Sequence, residues 1–235
     1  MNTEKSKAPV ALIQTIFTFH SIGPLTRQPE EGEMRYNVSA ELFAEWIATI
    51  SRTLPHCLVT FDDGNKSDIE IALPILKKHN VAAKFFPIIN QIGNQDYMTW
   101  DDIRSLMGAG MQIGSHGLDH VAWTKCAPDQ LLRELQQSRA ILEKELETQI
   151  TYAAAPFGAI SPHVYRAAKN AGYTKLYTSS PRSGFTGTSL VSRYSVQSNM
   201  TPADFVATKT SAGNRVSTSL VNLAQNIKYN VSNAS

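Results

Sequence analysis

Short apolar runs alternate with amphipathic stretches along nearly the whole chain, the pattern of parallel strands joined by helical crossovers. Ala11 to Phe19 reads as a first strand. Ser39 then caps a helix whose apolar face carries Leu42, Phe43, Trp46, Ile47 and Ile50. Cys57 to Phe61 is a β-rich run that stops at Asp62-Asp63-Gly64. The helix expected from about Ser67 to His79 contains Pro74, which should kink or segment it. Val81 to Ile89 predicts the next strand. Thr99 reads as an N-cap with Asp101 and Asp102 in the first turn, and Gly108 and Gly110 end that helix. Met111 to Ser115 is a short strand leading into His116-Gly117-Leu118-Asp119-His120. The longest helix runs from Pro128 to about Glu147. Strands at Ile150–Ala155, Tyr173–Thr178 and Val191–Val196 follow, with a helix from Ser161-Pro162 to Ala171 and a short one after Thr201-Pro202.

About seven parallel strands with helical crossovers predict an α/β fold, a single distorted (β/α) barrel occupying residues 8–210. Residues 211–235, rich in Ser, Asn and Thr, read as a polar C-terminal tail with a weak helix near Leu220 to Ile227. In such folds ligand sites form beyond the carboxyl ends of the strands, so each motif can be asked whether it directly follows a strand.

Composition narrows the function classes. The 235 residues are 42% hydrophobic and 18% charged, which supports a sizeable core and excludes disorder over most of the length. A net charge of +2 gives no electrostatic case for nucleic acid or an anionic membrane surface as partner. No apolar stretch approaches a membrane span. The apolar run Val10 to Ile13 after the charged N-terminus is too short for a signal-peptide core, so the expected location is cytoplasmic. Cys57 and Cys126 are too few for a disulfide framework.

Two motifs sit just past separate strands. In Thr60-Phe61-Asp62-Asp63-Gly64 the paired carboxylates suit one metal ligand beside one general base. Adjacent strand residues point to opposite faces, so the strand must end there for both to serve one site, and Gly64 allows the turn. Taken alone, the motif reads sooner as a solvated Asp-Asp-Gly turn. In His116-Gly117-Leu118-Asp119-His120 the histidines at i and i+4 can converge on one ion. Asp63, His116 and His120 together would form a two-histidine, one-carboxylate set with open positions for water and substrate.

The order TFDDG then HGLDH resembles the polysaccharide deacetylases of carbohydrate esterase family 4, related to the nodulation chitooligosaccharide deacetylases. Leu73-Pro74-Ile75-Leu76-Lys77-Lys78, Ala83-Lys84-Phe85-Phe86 and Ala155-Pro156-Phe157-Gly158 extend the likeness through most of residues 10–210. The resemblance implies a metal-dependent hydrolase that removes an acetyl group from an N-acetylated saccharide. It implies that Asp63, His116 and His120 bind one divalent ion, commonly zinc, that Asp62 is the general base, and that the backbone N–H near Phe157 stabilises the oxyanion.

The chain departs from the family pattern in two places. The acid histidine of many members lies on a late strand, whereas here the last histidine, His163, falls in a predicted helix. His20, ending the first strand, is the expected acid, because first and last strands are neighbours in a closed barrel. In this the chain is similar to the circularly permuted branch that includes deacetylases of β-1,6-linked poly-N-acetylglucosamine. A histidine capping that strand for structural reasons is the alternative. The arginine that often orients the base is replaced by Ala154, and Arg193 on a later strand could supply the charge or simply form a surface ion pair. Trp123, three residues past His120, could stack on a sugar or pack in the core. Two other functions stay open: an amidohydrolase acting on another C–N bond, and a saccharide-binding relative without turnover.

Overall fold

A computed structural model of the chain describes residues 13–54, 56–179, 184–185 and 189–210. Among them, seven strands form one parallel sheet: β1 (Ile16–Phe19), β2 (Leu58–Asp63), β3 (Ala83–Pro87), β4 (Gln112–Ile113), β5 (Tyr152–Ala154), β6 (Lys175–Ser179) and β7 (Leu190–Ser195). On one side of β1 the pairing runs β2, β3, β4, and on the other β7, β6, β5. Ser115, just past β4, spans the remaining gap. Its N–H donates to the Tyr152 carbonyl at 3.0 Å and its carbonyl accepts from Ala154 N–H at 2.9 Å. The strands thus follow chain order around a nearly closed barrel, with the first and last side by side.

The helices are α1 (Ala40–Thr53), α2 (Leu73–Lys78), α3 (Trp100–Gly108), α4 (Pro128–Leu132), α5 (Ser138–Leu146), α6 (Pro162–Asn170) and α7 (Pro202–Thr210). Two caps form as their residue types dictate. Ser39 Oγ accepts from Leu42 N–H at 3.1 Å, and Thr99 and Asp102 make a reciprocal capping box. No helix among the described residues is long and apolar enough to cross a membrane.

Alternation along the strands divides the core in two. Phe17, Phe19, Phe61 and Phe85 face outward into the layer beneath the helices, where Phe61 and Phe85 stack with centroids 4.5 Å apart. Phe205 of α7 closes this layer against Phe17 and Trp46. Ile16, Phe86, Ala154, Tyr177 and Val191 form a smaller cluster with the opposite strand parity. Each buried aromatic contributes about 1.5–3 kcal/mol relative to an exposed one.

Three expectations about elements change. The first strand is not continuous from Ala11. Ile13–Gln14 pairs antiparallel with Gly184–Phe185, β1 begins at Ile16, and Ala11 and Leu12 lie outside the described residues. The helix expected from Ser67 opens as a π-turn, Asp68–Ala72, before α2. The Pro74 ring would crowd the carbonyl of Glu70, four residues back, and the wider turn relieves that crowding. The long helix from Pro128 is also broken by a π-turn, Arg133–Gln137, between α4 and α5. The polar tail expected at 211–235 lies outside the described residues.

Candidate active site

Strand β2 delivers both carboxylates to the C-terminal end of the barrel. Asp62 is still in extended backbone, while Asp63 takes a left-handed φ of 72°. The chain therefore turns one residue earlier than glycine chemistry alone suggests, and Gly64 completes the turn with its N–H donating to Asp62 carbonyl at 2.9 Å. A Cβ on Gly64 would come within 2.8 Å of Pro87 Cβ, so the close approach of β3 requires glycine there. His120 and Phe157 share the left-handed conformation, at φ 54° and 58°. Non-glycine residues pay about 1–3 kcal/mol each for such backbone, and three of them gather around one cleft.

Asp63, His116 and His120 each place a donor atom within 4.8 Å of the others. Asp63 Oδ1 is 3.5 Å from Nε2 of both His116 and His120 and has no hydrogen-bond partner among the described residues. His116 Nδ1 lies 2.9 Å from the Ala154 carbonyl, which fixes that nitrogen as the N–H donor and leaves the Nε2 lone pair facing Asp63. Burial drives His116 down to about 3 and lowers His120 as well. Burial pushes Asp63 up to about 7, with Asp62 adding to the rise while His20 opposes it. Two neutral imidazoles and a carboxylate whose ionisation lacks a partner are the donors a divalent cation requires, so the residues present fit one.

Asp62 has its own partner. Arg193 on β7 meets it side by side, with Nη1–Oδ1 and Nη2–Oδ2 both at 2.7 Å, and Nη1 also lies 3.3 Å from Thr60 Oγ1. Both side chains are buried. Burial alone would raise the Asp62 carboxyl, but the Arg193 charge, aided by His116 and His20, holds it down to about 2. The guanidinium sits 5.5 Å from the Phe86 ring centroid and 5.6 Å from that of Tyr177, inside the barrel. The structure thus brings a cation to Asp62 from β7, two strands away from the one bearing Ala154, and not from the surface.

His20, just past β1, lines the same cleft as Asp62, Asp63, His116 and His120, a space of about 360 Å³. Its ring packs against Tyr36 with centroids 5.0 Å apart, and its buried Nδ1 has no hydrogen-bond partner among the described residues. Phe157 is 64% exposed and its ring lies 4.5 Å from that of His120. Trp123 is only 1% exposed, so it packs in the core under the His116–His120 loop and offers no face to a sugar.

The segment between β1 and α1 supplies cleft residues the motifs did not point to: Arg27, Glu30, Glu33 and Tyr36. Asp96 anchors it, accepting at 2.6 Å from the N–H of Thr26, the N–H of Arg27 and the Thr26 hydroxyl. Arg27 then reaches Glu33 at 2.8 Å and Asn65 at 3.2 Å. A long charged loop leaving the carboxyl end of a barrel strand was the available signal.

Residues 51–176, over half of the chain, match the family described as polysaccharide deacetylase. The chain is 30% identical to YxkH of Bacillus subtilis (strain 168) over 124 residues, which are 53% of this chain and 44% of that protein. It is 26% identical over 115 residues to the peptidoglycan-N-acetylglucosamine deacetylase PgdA of Listeria monocytogenes, 48% of this chain and 24% of that one. The matches therefore span less than half the length of these relatives. In fold, the chain is similar to Streptococcus pyogenes deacetylase PplD in complex with acetate. That likeness has a TM-score of 0.71 and covers 84% of this chain and 98% of that chain at 22% identity. With the matched segment carrying both motifs, the chain belongs to the polysaccharide deacetylase family.

Proposed function

We propose that this protein is a metal-dependent hydrolase that removes the acetyl group from an N-acetylated saccharide. The observation that carries the reading is the convergence of Asp63, His116 and His120 beside an ionised Asp62 in one cleft. Family membership and the deacetylase activity named for PgdA support the same chemistry. A bound divalent ion, commonly zinc, supplies Lewis acidity toward an amide carbonyl and acidifies water.

The protein's own groups account for the remaining steps. Asp62, fixed by two Arg193 contacts, accepts a proton from the attacking water as its oxygen bonds to the acetamide carbon. The Phe157 backbone N–H donates to the oxygen that gains charge in the tetrahedral intermediate. His20 gives a proton to the sugar nitrogen as the C–N bond breaks, so that the amine departs neutral. The acetic acid formed loses its hydroxyl proton to solvent as acetate, and the proton held by Asp62 restores that of His20. Ala154 no longer argues for an impaired site, because Arg193 supplies the missing cation from β7.

Zinc content and turnover test the assignment together. Wild-type protein should hold one zinc per chain, and Asp63→Ala should not retain it. His20→Ala should keep zinc yet lose about 10²–10⁴ of its rate. Full zinc content in Asp63→Ala would overturn the ligand set, and full activity in His20→Ala would remove it as the acid.

A further inference from the structure

The loop that carries His120 is held from below by a buried carboxyl group that plays no part in the proposed chemistry. Glu134 is fully buried in the π-turn Arg133–Gln137. Its Oε2 accepts from Leu118 N–H at 2.8 Å and from Asp119 N–H at 3.4 Å, the two residues directly before His120. The carbonyls of Gly117 and Leu118 are taken from the other side by the N–H groups of Ile89 and Asn90. A Cβ on Gly117 would come within 2.6 Å of Glu134 Oε2, so the loop lies directly on the carboxylate.

The π-turn is itself fastened to the barrel. Ser138 Oγ donates to the Glu134 carbonyl at 2.5 Å, and the Tyr173 hydroxyl donates to the Leu135 carbonyl at 2.9 Å. Ser115 Oγ donates to Ser138 Oγ at 2.8 Å and accepts from Gly117 N–H at 3.1 Å. A π-turn frees carbonyls from the helical ladder and turns a side chain that a regular helix would aim elsewhere. Here both effects converge on one loop.

We propose that Glu134 is a positioning residue for metal binding: by holding the Leu118 and Asp119 amides it keeps His120 in its left-handed conformation, with Nε2 toward Asp63. The proposal rests on the metal-site reading above. Outer groups that orient a ligand typically change metal affinity by about 10–100-fold when removed.

The test compares zinc affinity, by competition with a chromophoric chelator, and thermal unfolding of the metal-free protein. The variants are Glu134→Ala, Glu134→Asp and Glu134→Gln. Alanine and the shorter aspartate should weaken zinc binding by about 10–100-fold. Glutamine keeps an acceptor oxygen at the same reach and should recover most of that loss. Leu142→Ala, a cavity in the neighbouring helix, should lower the melting temperature and leave zinc affinity unchanged, which separates positioning from general destabilisation. Wild-type zinc affinity in Glu134→Ala would overturn the proposal. Amide exchange in the unmutated protein decides the point should the variants fail to fold. Leu118 N–H should exchange as slowly as the β2 amides, and rapid exchange would overturn the proposal. Wild-type protein that takes up no zinc would defeat the metal-site reading itself, an outcome distinct from intact zinc binding with an indifferent Glu134.

Discussion

Asp62 and Asp63 are neighbours in sequence with opposite electrostatic fates. Arg193 stabilises the charge on the first, whereas burial penalises the charge on the second. Adjacency was legible in the sequence, and so was the need for the strand to end there. The left-handed backbone of Asp63 was not, because nothing local to the motif marks it. Asp68, five residues on, extends the argument. It is fully buried, neither carboxyl oxygen has a hydrogen-bond partner among the described residues, and burial, with Asp63 and Asp62, raises it well above 3.8. The folded state therefore keeps a proton that the unfolded chain releases above that pH. Stability is greatest below the unfolded value and falls as pH rises toward the folded one. In the metal-free protein, Asp68→Asn removes this dependence, so its melting temperature should gain on wild type progressively from pH 4 upward. A constant offset across that range would contradict the assignment.

Elements were read best where one face is apolar and the ends carry caps. α1 and α3 begin at Ser39 and Thr99 as their side chains require, and β2 ends at the acidic pair. Pro74 marked the first break but not its π form, and the second π-turn, which carries Glu134, escaped altogether, since a single inserted residue hardly disturbs apolar periodicity. The β1–α1 loop escaped because its order comes from Asp96, some seventy residues away. That anchor makes the loop testable as an element. Asp96→Ala releases Thr26 and Arg27 together and loosens the wall of the cleft without touching the metal donors. KM should rise several-fold while zinc content stays constant and kcat changes less. An unchanged KM would mean that this loop does not contact substrate.

The barrel's closure places the whole site at one end of the molecule. β1 and β7 lie side by side, which brings His20 to the cleft and sets the buried Arg193 behind it against Asp62, although the two are far apart in the chain. The sequence offered Arg193 only as one of two alternatives, because nothing local distinguishes a barrel-interior arginine from a surface one. The proposed metal donors tie the end of β2 to the loop after β4, close to the bridge that Ser115 makes to β5. Zinc at about a hundredfold over its dissociation constant should add about 2.7 kcal/mol. At about 2–4 °C per kcal/mol for a domain of this size, the melting temperature should rise by about 5–11 °C and fall back on adding chelator. A melting temperature indifferent to both would separate the metal from the fold. The central claim is tested most directly by acetate release from N-acetylglucosamine oligomers, comparing zinc-loaded wild type with Asp62→Asn. Wild type should release acetate, and the variant should retain its zinc while losing about 10²–10⁴ of the rate. Equal rates in the two proteins, or no acetate from zinc-loaded wild type, would contradict the account.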